Sequence, residues 1–106
     1  MSKSSTITKS GTKSGRIRPH PGEVLHEECL VPLGMSARQL ADILGVPHNR
    51  ISDIVREKRG VTADTALRLA KHFGTTAQFW LNLQSSHDLS KAEATTDYSG
   101  IPGRAA

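Results

Sequence analysis

The chain has 106 residues, of which 36% are hydrophobic and 4% aromatic, with 14 basic residues against 10 acidic ones. This length allows one small domain with terminal tails, and an aliphatic core of this size is typical of packed helices rather than of a large enzyme. No apolar run reaches the roughly 18 residues of a membrane span and no signal-peptide apolar segment follows the start, so we expect a cytoplasmic protein.

Residues 1–18 are predicted to form a disordered basic tail. Residues 1–20 contain five Lys and Arg and no acidic residue, whereas residues 21–106 contain nine basic and ten acidic residues. The tail is rich in Ser, Thr, Gly and Lys, so it has too little apolar surface to offset the entropy lost on ordering. The composition favours a solvating leader, and a basic arm that contacts nucleic-acid phosphates is the alternative.

A first helix is expected to begin near residues 19–22 and to end around residues 31–34. Proline suits the first turn of a helix, and the acidic residues that follow suit the positive end of the helix dipole. Pro32 and Gly34 then discourage continuation. The only cysteine, Cys29, has no disulfide partner and is interpreted as a small core residue. It is not accompanied by metal-ligand spacing, so neither a metal nor a cofactor is expected.

Residues 36–56 predict two short helices joined by a tight glycine turn. Ser36 and Gln39 form a capping box, in which each side chain accepts a hydrogen bond from the other residue's backbone N–H, so a helix should begin at about residue 37. Gly45 supplies its left-handed end, and Pro47 is expected at the first position of the next helix. The second helix has one apolar and one polar face. This pattern is typical of a helix-turn-helix, whose second helix lies in the DNA major groove.

The polar face of the second helix and its surroundings provide the candidate DNA-binding residues. Residues near the start of that helix should reach base edges: His48, Asn49, Arg50 and Asp53. The start of the first helix and the loop after the second should contact phosphates: Ser36, Arg38, Lys58 and Arg59. Pro47, Ser52 and Arg56 complete the predicted surface. Solvation of His48, Arg38 and the loop residues is one alternative, and surface pairing of Asp53 with Arg50 or Arg56 is another.

Two further helices are expected after this motif. Thr62 caps the first, which Gly74 ends. Thr75 or Thr76 caps the second, and Thr75 with Gln78 offers another capping box. The sequence therefore predicts an all-α domain of five helices over residues 19–94, followed by a frayed tail over residues 95–106.

Phe79 and Trp80 are adjacent aromatic residues with different expected surroundings. Phe79 is expected to pack in the core. Trp80, together with Leu83, is expected at a dimer interface, because aromatic residues concentrate at interface centres and because two DNA half-sites require a two-fold dimer. Core packing of Trp80 is the competing interpretation.

Two parts of the sequence resemble known families. The segment QLADILGVPHNRIS resembles the helix-turn-helix of Cro/C1 (Xre) repressors. PGEVLHEECLVPLGMSARQLA together with RGVTADTALRLAKHFGTTAQFWLNLQ resembles HigA-type (VapI-type) antitoxins over about residues 19–90. The resemblance implies a lambda repressor-like fold and a homodimer that binds operator DNA, represses its own operon and neutralises a HigB-type mRNA-cleaving toxin. Such a protein would associate with the nucleoid when bound to its operator.

Three other functions are weighed against this one. A free-standing Xre-family repressor with no toxin partner would carry the same motif, and so would an interaction module that has kept the fold but lost DNA binding. An enzyme is not expected, because the acidic residues Glu23, Glu27 and Glu28 are explained by the helix dipole. No nucleophile–base pair or glycine-rich phosphate loop accompanies them.

Overall fold

Five helices follow one another in residues 16–105, the part of the chain described by the structure, a computed structural model. Helix α1 consists of α-helical Pro21–Val24, π-helical Leu25–Leu30 and α-helical Val31–Leu33. The other four are α2 (Ala37–Leu44), α3 (His48–Val55), α4 (Ala63–Phe73) and α5 (Ala77–Thr95). No strand occurs in residues 16–105, and the predicted all-α fold of five helices is confirmed.

Helix α1 begins with a histidine cap and ends after a proline. His20 has extended backbone geometry, and its Nδ1 accepts a hydrogen bond from the Gly22 N–H at 2.8 Å. Pro21 takes the first helical position, where its missing N–H costs nothing. Pro32 also lacks an N–H, and its ring would clash with the carbonyl four residues earlier, which accounts for the wider π-helical turns before it. Gly34, with φ of 61°, ends the helix within the expected range.

Helices α2 and α3 form the predicted helix-turn-helix. Ser36 Oγ accepts a hydrogen bond from the Gln39 N–H at 3.0 Å, and Gln39 Oε1 accepts one from the Ser36 N–H at 2.8 Å. The capping box is therefore confirmed. Gly45 ends α2 in the left-handed conformation, with φ of 73°. Pro47 is the N-cap of α3 and not its first helical residue, because its ψ of 146° is extended, so that detail of the prediction is wrong.

The caps of α4 and α5 are threonines. The Thr62 side chain accepts a hydrogen bond from the Thr65 N–H at the start of α4, as expected. Thr76 caps α5 by accepting from the Phe79 N–H at 3.0 Å. The predicted capping box of Thr75 with Gln78 is wrong, because Thr75 Oγ1 instead accepts from Trp80 Nε1 at 2.8 Å.

The buried core receives side chains from all five helices. Its members are Leu25, Leu30, Leu40, Ala41, Leu44, Val46, Ile51, Ile54, Val61, Ala66, Leu69 and Trp80. Ile51 and Ile54 are fully buried, which fixes the rotation of α3 about its axis and turns its polar face outward. Cys29 is half-buried and packs against this core.

The two adjacent aromatic residues of α5 have the reverse of their expected exposures. Trp80 is 1% exposed, whereas Phe79 is 42% exposed. The expected core position of Phe79 is therefore wrong, and the single chain already buries the Trp80 ring. The hydrogen bond from the indole to Thr75 satisfies the one polar group of that ring.

The segment before α1 lies along α5. The Arg18 N–H donates to Ser90 Oγ at 2.8 Å, and the Arg18 carbonyl accepts a hydrogen bond from His87 Nδ1 at 2.8 Å. Arg18, which the sequence assigns to the tail, thus contacts α5, while residues 1–15 of the predicted tail lie outside the described residues. Among residues 16–105, no helix is both long and apolar enough to cross a membrane.

The start of α1 also supports α3. A Cβ on Gly22 would overlap the carbonyl oxygen of Ile54, so only glycine allows the two backbones to approach this closely. Helix α1 therefore packs directly against the last turn of α3. This contact and the buried isoleucines together hold the polar face of α3 in one orientation.

Candidate nucleic-acid interface

The outer face of α3 carries the residues that were expected to read base edges. His48 and Asn49 are exposed, whereas Arg50 and Asp53 are partly buried. All four lie within the first two turns of α3, and none is among the residues of this helix that the core buries, Ile51 and Ile54. Helix α3 therefore presents one continuous polar surface, as the sequence predicts.

Arg50 is held by an acidic residue of α4. Its Nη1 donates to Asp64 Oδ2 at 2.8 Å, and Arg68 Nε donates to the same oxygen at 3.0 Å. Arg68 also donates to the Leu44 carbonyl at 2.7 Å. Hydrogen bonds from Arg68 and, to a lesser extent, from Arg50 hold the pKa of the Asp64 carboxyl below its ordinary value. Arg50 thus joins α3 to α4, a contact between residues 14 positions apart that sequence spacing does not reveal.

Two other residues of the α3 face are also paired. His48 Nε2 lies 2.8 Å from Asp42 Oδ1, which links the start of α3 to α2. Asp53 lies 3.9 Å from Arg56 Nη1 and 3.6 Å from Arg59 Nη2. Of the two surface pairings weighed as alternatives for Asp53, the one with Arg56 is present, whereas Arg50 is bonded to Asp64 instead.

Asn49 differs from its neighbours on α3. Its side chain is exposed and makes no hydrogen bond within residues 16–105, although its backbone carbonyl lies 3.5 Å from Ser52 Oγ. An amide with both its donor and its acceptor available matches the paired donor and acceptor of an adenine edge. Of the four base-reading candidates, Asn49 is therefore the one whose side chain has no hydrogen-bond or ion-pair partner within residues 16–105.

The candidate phosphate contacts lie at both ends of the helix-turn-helix. Ser36 is exposed, and a hydroxyl that accepts a hydrogen bond, as Ser36 Oγ does in the capping box, can also donate one to a phosphate oxygen. Arg38 is exposed in the first turn of α2. Lys58 and Arg59 are exposed in the loop after α3, directly behind Glu57, which adopts a left-handed φ of 64°.

The α3–α4 loop, residues 56–62, is attached to α5 by a residue that sequence reasoning missed. The Val61 N–H donates to Gln84 Oε1 at 2.7 Å. Gln84 is 23 positions away, and nothing in the local pattern marks it. Asp64 and Arg68 were missed as supports of Arg50 for the same reason.

The described residues do not bring together three or more His, Cys, Asp or Glu side chains in an arrangement that could hold a metal ion. The acidic residues Glu23, Glu27 and Glu28 all lie exposed on α1. The outer face of α3 carries exposed or partly exposed hydrogen-bonding groups of both donor and acceptor type, on His48, Asn49, Arg50 and Asp53. This arrangement suits recognition of a polar surface such as DNA.

Known proteins share both the sequence and the geometry of this region. Residues 27–80 match the family model described as helix-turn-helix (HTH_3). The chain is 60% identical over 74 residues to virulence-associated protein I of Dichelobacter nodosus, and the match covers 70% of this chain and 68% of that protein. The resemblance to Xre-type helix-turn-helix proteins and HigA-type antitoxins is confirmed.

Two solved structures are similar in both sequence and fold. Antitoxin HigA of Pseudomonas aeruginosa, solved with the higBA promoter, is 49% identical and has a TM-score of 0.70, with 72% of this chain and 83% of that chain covered. Antitoxin GraA in complex with its operator is 44% identical and has a TM-score of 0.78, with 84% and 92% covered.

Proposed function

Because the chain belongs to the helix-turn-helix family, we propose that it is a sequence-specific DNA-binding antitoxin of the HigA type that represses its own operon. The observation that carries the proposal is the polar face of α3, which the buried Ile51 and Ile54 turn outward and which has the exposed Asn49 amide near its start. Related antitoxins have been solved with promoter or operator DNA, which supports DNA binding by this chain.

Base reading in this proposal is divided among residues with different surroundings. The start of α3 enters the major groove, where the Asn49 amide pairs with an adenine edge. His48 reaches a neighbouring base while Asp42 fixes its ring. Arg50, because it is bonded to Asp64, mainly keeps α3 in place against α4. Asp53, Ser52, Arg56 and the N-cap Pro47 border the contact.

Phosphate contacts flank the base contacts on both sides. Ser36 and Arg38 lie at the start of α2, where backbone N–H groups and the helix dipole also attract an anion. Lys58 and Arg59 lie in the α3–α4 loop. Together these residues position α3 on the duplex but carry no sequence information themselves.

A homodimer presents two copies of α3 to two half-sites, about one DNA turn apart. The proposed interface is the one face of α5 that carries the exposed Phe79 and, one helical turn further on, the half-buried Leu83. Trp80 packs in the core beneath this surface and has almost no exposed area that a partner could contact. The predicted interface residue Leu83 is kept, and Phe79 takes the place expected for Trp80.

The DNA-binding proposal is tested with a fragment that carries the chain's own promoter. Asn49→Ala should weaken binding to this fragment by about 1–3 kcal/mol in a gel-shift titration, without weakening binding to random DNA by the same amount. Asn82→Ala is the matched control, since Asn82 is an exposed asparagine on α5. Equal binding by wild type and Asn49→Ala would remove Asn49 from the base-reading surface.

The antitoxin half of the proposal is tested separately. Co-expression with the product of the adjacent reading frame should restore growth that this product alone inhibits, and the two proteins should purify as one complex. If no neighbouring frame encodes a growth-inhibiting product while the promoter shift persists, the chain acts as a free-standing Xre-family repressor.

A further inference from the structure

Backbone hydrogen bonds hold the α3–α4 loop at both of its ends. At its start the Glu57 N–H donates to the Ile54 carbonyl at 2.9 Å and the Lys58 N–H to the Asp53 carbonyl at 2.8 Å. At its other end the Val61 N–H donates to Gln84 Oε1. The exposed side chains of Lys58 and Arg59 belong to this loop, and Arg59 Nη2 lies 3.6 Å from Asp53 Oδ2 of α3.

Gln84 fits the end of this loop closely. A Cβ on Gly60 would lie 2.9 Å from Gln84 Oε1 and 3.0 Å from its Cδ, so the amide group of Gln84 lies against the backbone of Gly60. Val61 is 5% exposed. Its N–H would therefore be costly to leave without an acceptor.

The orientation of the Gln84 amide is set by a second contact. Its Nε2 donates to Asp88 Oδ1 at 3.0 Å, one helical turn further along α5. With the amide turned over, its NH₂ would face the Val61 N–H and its oxygen would face the Asp88 carboxylate. Both contacts would be repulsive, so Asp88 keeps the Gln84 oxygen pointed at the loop.

We propose that Gln84 is a positioning residue for DNA binding, which fixes the α3–α4 loop so that Lys58 and Arg59 meet phosphates while α3 lies in the major groove. Through Gln84, α5 sets the position of a DNA-contacting loop on another part of the domain. The inference rests on the proposed function, specifically on the assignment of phosphate contacts to Lys58 and Arg59.

The decisive variants separate the hydrogen bond from the bulk of the side chain. Gln84→Met keeps the length of the side chain but removes the acceptor. In the double variant Gln84→Glu/Asp88→Asn, the new carboxylate accepts from the Val61 N–H, the new amide one turn along α5 donates to that carboxylate, and net charge is unchanged. Gln78→Met is the matched control, because Gln78 makes the same type of bond to Asn82 on α5, at 3.0 Å, but does not contact the loop.

The measurement is binding to the promoter fragment and to random DNA as a function of salt concentration. Gln84→Met should bind both about tenfold more weakly and should reduce the slope of log affinity against log salt by about one to two units. The double variant should stay within about twofold of wild type with its slope restored. Gln78→Met should match wild type in affinity, slope and helicity.

Gly60→Ala tests the same contact from the loop side, should Gln84→Met be too unstable to measure. Its methyl group would displace the Gln84 amide, and it should lower the slope in the same way. The positioning inference would be overturned if the salt slope is reduced in Lys58→Ala/Arg59→Ala but is that of wild type in Gly60→Ala and in any folded Gln84→Met. An unchanged slope in Lys58→Ala/Arg59→Ala would instead contradict the phosphate assignment in the proposed function, and the inference with it.

Discussion

Asn49 and Arg50 are neighbours in the chain, but their side chains have different surroundings. The Asn49 amide is exposed and makes no hydrogen bond within the described part of the chain, whereas Arg50 donates to Asp64 of α4. Both residue types can form two hydrogen bonds with a base edge. The tertiary contact therefore distinguishes a residue that is available to DNA from one that first stabilises the domain.

We expect Arg50→Ala to lower Tm by about 2–5 °C, because it removes the bridge from α3 to α4 at a partly exposed site. Arg38→Ala, at an exposed arginine on α2, should leave Tm unchanged. Thermal denaturation followed by circular dichroism measures both. Equal Tm values for Arg50→Ala and wild type would show that the Asp64 contact does not stabilise the fold.

Trp80→Ala should cost about 3–5 kcal/mol of the free energy of unfolding, because the ring is buried and its indole N–H is bonded to Thr75. In so small a domain this loss should largely unfold the chain. Phe79→Ala, which truncates the more exposed neighbour, should cost much less. Urea denaturation compares the two, and similar costs would contradict their different burial.

At the scale of whole elements, α1 is fastened to α5 by a pair of histidines. The His20 and His87 rings meet edge to face with centroids 4.9 Å apart, and His20 Nδ1 caps α1. The cap requires an unprotonated Nδ1. Burial, followed by the nearby His87 and a smaller contribution from Lys91, lowers the pKa of His20 below its ordinary 6.5, while Glu57 and Asp88 act in the opposite direction.

Stability should therefore fall as the pH drops below about 6.5. Between 6.5 and the lower pKa of folded His20, the unfolded chain binds more protons at this site than the folded chain, so acid favours unfolding. His20→Asn, which keeps a capping side chain, should flatten Tm between about pH 7.5 and 5.5. His72→Asn, at an exposed histidine of α4, should not. Identical pH profiles for His20→Asn and wild type would exclude His20 as the titrating group.

At the scale of the whole molecule, the proposed DNA-reading surface and the proposed dimer surface lie on different helices that share one core. Helix α3 is held by α1 through Gly22, by α4 through Arg50 and by its own buried isoleucines. Helix α5 fastens the segment before α1 and the α3–α4 loop. On the two proposals made for α5, a change in this helix would affect DNA binding both through dimerisation and through the position of the α3–α4 loop.

Phe79→Glu should shift the protein toward monomer in sedimentation equilibrium while its helicity is kept, because Phe79 is exposed on α5 and its charge would oppose burial between two copies. As the dimer is lost, affinity for the promoter should fall, since both half-sites must be engaged together. Leu89→Glu, at another exposed apolar residue of α5, is the control. A Phe79→Glu protein that remains dimeric would place the interface elsewhere.

The local features of this protein are determined by the sequence alone. The Ser36 capping box, the left-handed Gly45 and the Thr62 cap depend on residues within about four positions of one another, and the helical spacing of Ile51 and Ile54 selects the buried face of α3. The five helices, and with them the helix-turn-helix, could be predicted because backbone hydrogen bonds and apolar periodicity are short-range properties.

Only the tertiary structure decided which side chains already have hydrogen-bonding or packing partners on other helices. Three contacts join residues that are far apart in the chain: Arg50 bonds to Asp64, Gln84 accepts from the Val61 N–H, and the His20 ring meets the His87 ring. In addition, the core contains Trp80 where the sequence predicted Phe79. A sequence pattern gives the face on which a residue lies. Which residue of another helix it contacts depends on how the helices pack, and so does the choice between two adjacent residues of a long helix such as α5 for the core position. No local spacing encodes that packing.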